Sequence, residues 1–434
     1  MLNSAFKKFN VGQGITWLAA GAAFFLAFRN NCWGCDTLKI GDALFILLGG
    51  VVMLHADIRA LFRKRLAELR FYLWSFATIL FFILIGQLIS LFSGISLEKI
   101  ILINYARLLF NWGIFFILAF LIARYPRLIS YMSIAILISP VTALPAFLGP
   151  NDHFLHGGRL MGFLLNPIVF GMWMAIVFLL GIAFYLEAKS WWLKGLVLAW
   201  LCVIASFILW SGSRAAWLSL ALGLLLWGGL LLKEKVAWKK LRLLATAFLV
   251  AFVTGFFLLP NSGLKIRSWV GERAVLFVAH PTEDQIRSEV WEIVISTTQF
   301  KNLLGAGLIN STNHAPLIPV VVNGLPVISN SPSNSFLEIM LYGGIGAVFA
   351  FTAMIGLFVF EAWRFLQKTS ILEIRDLHLA WILAVPTILV GIFFNDGFLL
   401  RHTWVVLGMG VGTLFLVKPR FSPFQPEFKA GKII

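Results

Sequence analysis

Three arginines stand beside long apolar stretches, where a guanidinium has to be paired with an anion. Arg159 lies in GGRLMGFLLNP, Arg214 in SGSRAAWL and Arg287 in RSEVW. A guanidinium close to hydrocarbon is costly unless it forms charge-assisted hydrogen bonds, and a phosphate or diphosphate matches its planar geometry. A single such arginine is equally well explained as an interfacial anchor whose head reaches water. Three on one face of a membrane predict a site for a phosphate or diphosphate.

Candidate acids and bases occur in the same parts of the chain. Glu338 follows Asn334 at the start of an apolar stretch, in SNSFLEIM, and Asp396 lies in FFNDGFLL. Five histidines lie in the predicted outer segments: His153, His156, His280, His314 and His402. A histidine can act as a base near neutral pH, although most histidines in polar loops are simply solvated. A carboxylate near a helix end is most often a cap, so each residue gains weight only beside the arginines.

Motifs for nucleotides and metals are absent from the sequence. It contains no GxxxxGK[ST] phosphate loop, no GxGxxG after a strand, no HExxH and no zinc-type Cys/His spacing. We therefore expect no ATP hydrolysis, no bound metal and no cofactor. Cys32 and Cys35 form the only local cysteine pair, either as a small disulfide or as two free thiols.

Membrane-spanning helices must position these residues. The chain is 60% hydrophobic and has a mean hydropathy of +0.90. A water-soluble domain of 434 residues with this composition would expose too much apolar surface to water. Apolar runs of about 17 to 25 residues fit helices rather than barrel strands. The net charge of +16 could suggest nucleic acid, but nearly all Lys and Arg lie in short loops, where they orient helices and meet anionic head groups. We predict an all-α, polytopic membrane protein whose partner is the lipid bilayer and not nucleic acid.

About twelve transmembrane helices are expected. The apolar stretches cover residues 14–28, 42–54, 71–92, 100–123, 128–149, 163–186, 195–210, 215–232, 243–259, 336–360, 379–395 and 403–417. With a cytoplasmic amino terminus, about 23 of the 35 basic residues fall inside, as the positive-inside rule requires. The chain then divides into helices one to nine (1–259), a large periplasmic loop (260–335), helices ten to twelve (336–418) and a cytoplasmic tail (419–434).

The large loop is the predicted functional segment, because it is far longer than an ordinary helix connection. Within it, residues 282–300 repeat apolar side chains at helical spacing and predict an amphipathic helix on the membrane surface. The same topology places all three arginines on the non-cytoplasmic side.

Read in order, four motifs resemble those of the O-antigen ligase and polymerase superfamily, bacterial membrane proteins that share a Wzy_C-type domain. They are GRLMGFLLNPIVFG, SGSR at 211–214, RSEVW with GAG at 305–307, and SNSFLEIMLYGGIG. The resemblance implies a metal-independent, inverting GT-C-type glycosyltransferase of the inner membrane with a periplasmic active site. The implied donor is a glycan on undecaprenyl diphosphate, and the implied acceptor is lipid A-core oligosaccharide. No nucleotide is needed because the donor is already activated.

The resemblance also implies roles for individual residues. Arg214 and Arg287 would hold the diphosphate and stabilise its charge as the glycosidic bond breaks. Arg159, Ser333 and Asn334 would complete the substrate-binding set.

One position departs from the pattern of the ligases. A His-Asn pair usually begins the segment that enters helix ten, whereas here Ser333 precedes Asn334. A serine cannot serve as the base that activates the acceptor hydroxyl. Either His314, His280 or Glu338 replaces it, or an oxocarbenium-like transition state requires little base catalysis.

Other functions are also compatible with this sequence. Within the same chemistry, the chain would be a polymerase that extends the lipid-linked glycan, or a protein O-oligosaccharyltransferase. From different classes come a transporter of lipid-linked sugars and a structural scaffold. Against transport, most predicted helices lack ionisable residues at their middle, where coupling sites lie, with Arg107 as an exception.

Overall fold

The structure is a computed structural model, and its described residues cover most of the predicted membrane part. They are 11–27, 40–92, 99–148, 155–156, 159–164, 166–234, 238–259, 291–292, 304–308, 318–322, 325–329, 334–395 and 398–417. Several predicted residues lie outside these ranges: Cys32, Cys35, His153, His280, Arg287, His314, Ser333 and Asp396.

Helices form nearly all of the described chain. They are α1 (Val11–Phe24), α2 (Ile40–Leu54), α3 (Ala56–Leu66), α4 (Arg70–Phe92), α5 (Lys99–Arg124), α6 (Arg127–Ile138), α7 (Pro145–Leu148), α8 (Pro167–Glu187), α9 (Trp191–Ser211), α10 (Arg214–Lys233), α11 (Trp238–Phe257), α12 (Ser335–Lys368), α13 (Asp376–Phe393) and α14 (Arg401–Val417). The described strands make two antiparallel hairpins: β1 (Leu155–His156) with β2 (Arg159–Leu160), and β3 (Ile318–Val322) with β4 (Leu325–Ser329). The predicted all-α class is confirmed.

Eight of the described helices are long and apolar enough to cross a membrane: α4, α5, α8, α9, α10, α11, α12 and α13. A ninth span results if α2 and α3, which are bent by 93°, are counted together. Each of the twelve predicted stretches overlaps a helix, but α1, α2, α6 and α14 are shorter than a full span. The chain is therefore a multi-pass membrane protein, and the number twelve stays a prediction.

The buried helix α8 lies at the centre of the bundle. It packs against α9, α10 and α13, while α12 packs on α4 and α14 on α5. Small residues allow these close approaches, since a Cβ at Gly408 of α14 would lie 2.9 Å from the backbone oxygen of Phe115 in α5. In lipid, where water-driven burial is weak, such backbone proximity is a main source of helix association.

The two ends of the bundle differ in charge. The end that holds residues 211–214 and 334–338 is called the site end here, and the opposite one the basic end. At the basic end, Glu187 accepts a hydrogen bond from Arg375 (2.7 Å), and Lys240 pairs with Asp376 (2.9 Å). These pairs join α8, α11 and the start of α13, because each carboxylate is matched by a cation from another element.

Candidate functional site

A corner between α9 and α10 positions Arg214. Gly212 ends α9 with a positive φ of 56°, a conformation that suits glycine. Ser213 caps α10 by accepting a hydrogen bond from the backbone N–H of Ala216 (3.2 Å). Arg214 is the first residue of α10 and is half-buried. Its guanidinium and the positive end of the helix dipole together favour an anion at this corner.

Arg159 binds the same corner from the β1–β2 hairpin. Its Nε donates to the backbone oxygen of Ser211 (2.8 Å), and one Nη donates to that of Gly212 (3.4 Å). These carbonyls end α9, where a cation is favourable. The structure thus brings two of the three predicted arginines together, and it gives Arg159 a role in fixing the corner that carries Arg214.

Asn334 caps the start of α12. Its side-chain oxygen accepts hydrogen bonds from the backbone N–H groups of Phe336 (2.8 Å) and Leu337 (3.2 Å), and the residue is buried. Next to it, the Ser335 hydroxyl donates to the backbone oxygen of Asn395 (2.9 Å) beyond α13. The predicted substrate-binding residue Asn334 is therefore first a helix cap, and its contact with substrate stays a prediction.

Glu338 connects α12 to the segment between α13 and α14. One carboxylate oxygen accepts a hydrogen bond from the Tyr342 hydroxyl (3.2 Å), and the other accepts one from the backbone N–H of Phe398 (3.3 Å). The carboxylate is buried, so these bonds are what make its burial tolerable. The geometry explains Glu338 as a positioning group, while its role as a base stays a prediction.

Three consecutive residues of α8 join the corner to the rest of the site end. The first is Gly171, where a Cβ would lie 2.5 Å from the Ser211 hydroxyl oxygen. The second is Met172, whose side chain would lie 2.5 Å from a Cβ at Gly391 of α13. Trp173 packs edge-on against His402, with ring centroids 4.9 Å apart. His402, a histidine singled out in the sequence, is buried with its Nε2 2.8 Å from the backbone oxygen of Leu26. The arginine corner, the end of α13 and the start of α14 therefore all pack against this part of α8.

Two residues of the predicted loop helix are described, and they lie at the same end of the bundle. Trp291 and Glu292 are helical, and the Trp291 ring packs against Phe393 at the end of α13 (5.9 Å between centroids). Phe393 also packs on Phe336 of α12 (6.0 Å). Trp291 follows Arg287 by four residues in the sequence. Trp291, the last residue of RSEVW, thus contacts the end of α13, which in turn packs on the start of α12.

The GAG motif closes a break in α12. Gly344 has non-helical angles (φ 65°, ψ −166°), so the helix is interrupted within the membrane part. The backbone N–H of Ala306 donates to the oxygen of Leu341 (2.7 Å), and that of Gly307 donates to the oxygen of Tyr342 (2.9 Å). Irregular backbone in a membrane must be satisfied by protein. Residues 304–308, called the strap here, supply that partner.

The other side of the strap lies on α4. Ser90 donates to the backbone oxygen of Ala306 (2.6 Å), and a Cβ at Gly86 would lie 2.7 Å from the backbone nitrogen of Gly307. Gln87 beside it is buried, and neither amide atom has a hydrogen-bond partner among the described residues. The sequence showed the glycines at 305, 307 and 344 but not this contact, because it joins segments more than 200 residues apart.

The described ranges hold no group of three or more His, Cys, Asp or Glu side chains arranged to bind a metal ion. The candidates for the acceptor base other than Glu338, which are His280 and His314, lie outside these ranges.

The comparison with known families covers the central part of the site. Residues 201–352 match the model of the Wzy_C family, described as O-Antigen ligase. No curated protein matches the chain. The matched segment runs from within α9 to within α12, so it includes the Arg214 corner, the strap, Asn334 and Glu338, while Arg159 precedes it. The resemblance predicted from the motifs is thereby confirmed: residues 201–352 of this multi-pass membrane protein are similar to the Wzy_C family of the O-antigen ligase and polymerase superfamily.

Proposed function

We propose that the protein transfers a glycan from undecaprenyl diphosphate to lipid A-core oligosaccharide. The observation that carries this proposal is the position of Arg214 within the matched segment, at the start of α10 and beside Arg159. A diphosphate leaving group gains negative charge as the glycosidic bond breaks. A guanidinium and a helix N-terminus that are already in place stabilise this charge without reorganising.

The proposed reaction is a direct displacement. The acceptor hydroxyl attacks the anomeric carbon from the face opposite the diphosphate, the bond from that carbon to the diphosphate oxygen breaks, and the configuration inverts. The leaving diphosphate keeps the bonding electron pair and so gains negative charge. Arg214 and, from the loop, Arg287 offset this charge. The hydroxyl proton passes to a base or to water, and His314 is our first candidate, since both Glu338 oxygens already accept hydrogen bonds. No metal is required, because cationic side chains offset the charge.

The charge of the bundle supports a periplasmic site in the inner membrane. Exposed cations gather at the basic end, where α2, α5, α8 and α10 end: Arg59, Arg63, Lys64, Arg124, Arg127, Lys189, Lys239 and Arg242. Basic residues are retained on the cytoplasmic side during insertion. The site end would then face the periplasm, together with the loop of residues 260–335 that joins α11 to α12.

Two alternatives have specific support. A polymerase that extends the lipid-linked glycan would use the same corner, because its donor also carries a diphosphate. A transporter of lipid-linked sugars is suggested by the break at Gly344, since transporters build midplane sites from broken helices. The freed carbonyls of this break are, however, bound by the strap. We therefore favour a transferase.

The decisive experiment uses the purified protein in detergent with an undecaprenyl diphosphate-linked oligosaccharide, with and without lipid A-core and without nucleotide or metal. Glycan on lipid A-core supports the ligase, and lengthening of the lipid-linked glycan alone supports the polymerase. Absence of both products rejects the transferase and favours the transporter, which uptake into reconstituted vesicles would test.

Arg214→Ala should lower the rate of transfer by roughly 10²- to 10³-fold, the usual cost of losing one group that stabilises developing charge. Arg214→Lys should keep part of the rate. Arg107→Ala is the matched control, because Arg107 is exposed on α5 and hydrogen-bonds its neighbour Asn104. A normal rate with Arg214→Ala would reject the assigned role.

A further inference from the structure

Helix α3 has no part in the proposed transfer, yet it is unusual in its orientation. It lies between the predicted apolar stretches 42–54 and 71–92, where the sequence indicates a short basic loop. The segment Ile58–Lys64 turns by 93° from the direction of Ile40–Leu54 in α2. Because α2 runs along the bundle, α3 lies across it, as helices at a membrane surface do.

The two faces of α3 differ in chemistry. Ile58 and Phe62 are buried, and the Phe62 ring packs edge-on against Phe120 of α5, with centroids 5.2 Å apart. Among the side chains of α3 that the structure describes, the exposed face carries three cations: Arg59, Arg63 and Lys64. Since Ile58 and Phe62 are covered by protein, these two apolar side chains do not insert into lipid. The available binding chemistry of α3 is the cationic face.

Neighbouring helices extend this face. Arg124 lies one turn beyond Phe120 on α5, and Arg127 begins α6; both are exposed. Together with Arg59, Arg63 and Lys64 they form what we call the α3 basic surface. Residues 56–70 contain five basic and two acidic side chains, so the local charge is clearly positive. Such a cluster attracts phosphate groups at short range, where screening is weak.

We propose that the α3 basic surface binds the head groups of anionic phospholipids in the leaflet beside which α3 lies. A helix at the basic end of membrane-spanning helices places its guanidinium groups near the level of lipid phosphates, which accept their paired hydrogen bonds. The partner is thus a lipid of the bilayer itself. This site is at the opposite end of the bundle from the Arg214 corner, so it is independent of the proposed transfer.

The test is native mass spectrometry of the purified full-length protein with added phosphatidylglycerol, cardiolipin or phosphatidylcholine. The wild-type protein should retain both anionic lipids in preference to the neutral one. The triple variant Arg59→Gln, Arg63→Gln and Lys64→Gln should bind anionic lipid roughly a hundredfold more weakly, which corresponds to about 1 kcal/mol per cation removed. The charge-keeping variant Arg59→Lys, Arg63→Lys and Lys64→Arg should retain binding.

A matched control removes three exposed cations from another part of the basic end: Lys189→Gln, Lys239→Gln and Arg242→Gln. Equal loss in this control, or unchanged binding in the α3 triple variant, would overturn the proposal.

Labelling of Lys64 in vesicles separates lipid from a macromolecular partner. A water-soluble amine reagent should modify Lys64 more slowly in anionic vesicles than in neutral ones. Equal rates in both would show that the surface faces water and is available to a protein or nucleic acid instead.

Discussion

At the residue scale, the two arginines of the α9–α10 corner have separable tasks. Arg159 donates two hydrogen bonds to carbonyls that end α9, whereas Arg214 begins the next helix. The SGSR sequence itself indicates this corner, because Gly212 and Ser213 end one helix and cap the next. The partner of Arg159 could not be predicted, since Ser211 is 52 residues away and contact depends on how the hairpin folds back.

Arg159→Ala should destabilise the protein by about 1 to 3 kcal/mol, the usual value of hydrogen bonds from a charged donor. Transfer should fall because the corner loses its support, and a lower thermal midpoint in detergent should accompany that loss. Arg214→Ala should leave the midpoint nearly unchanged. If Arg159→Ala lowered the rate at an unchanged midpoint, Arg159 would be a substrate ligand and not a support.

Glu338→Gln distinguishes a positioning carboxylate from a base. The amide retains an oxygen that can accept from Phe398 or Tyr342, so we expect a loss of transfer of less than roughly tenfold. A general base contributes about 10²- to 10⁴-fold, which this substitution would remove entirely. The measurement is the rate at saturating donor and acceptor. A loss above a hundredfold would restore Glu338 as the base.

At the element scale, apolar length made the helices predictable. All twelve predicted stretches overlap helices, because a bilayer demands a run of apolar residues and the sequence displays it directly. Helix α3 is not among the predicted helices, because its basic residues stand between two apolar stretches as those of a loop do. The break in α12 was also missed, since glycines at 343, 344 and 346 fit a helix as well as a bend. The hydrogen bonds from the strap, which is distant in sequence from α4, favour the bend over a continuous helix.

Gly307→Ala tests the strap. Gly307 has φ of 78°, and a Cβ there would lie 2.5 to 2.7 Å from Gln87. Backbone strain and overpacking should together cost about 2 to 4 kcal/mol. Gly356→Ala, in the same α12 but with open space around its Cβ, is the control and should be neutral or slightly stabilising. Thermal unfolding in detergent checks both, and equal midpoints would show that the strap is not tightly bound.

At the scale of the whole molecule, the bundle has a cationic end and an end that gathers the candidate site. Sequence charge predicted this polarity, because insertion sorts cations to one side irrespective of the fold. It did not predict which helices meet. The pairing of α4 with α12, α5 with α14 and α8 with α13 depends on close approaches at individual glycines, which no local pattern specifies.

The orientation is testable by cysteine labelling in intact cells. In a chain with Cys32, Cys35 and Cys202 replaced by serine, Glu292→Cys should react with a membrane-impermeant maleimide. Lys189→Cys should react only after the membrane is permeabilised. Both side chains are exposed, so accessibility within the protein does not limit either reaction. The reverse result would place the site end in the cytoplasm.

The strap also affects the order in which the helices assemble during synthesis. Ser90 and Ala306 are separated by 216 residues, so α4 enters the membrane long before the ribosome has made its partner. During that interval the polar side chains of Ser90 and Gln87 have no strap to cover them, and α12, which follows the strap in the chain, has not yet been made. Final assembly of α4, the strap and α12 is therefore a late event. The chain in which the strap has not yet bound is the form that membrane quality-control proteases would encounter first. Variants that weaken the strap should therefore lower the abundance of the protein before they lower its activity.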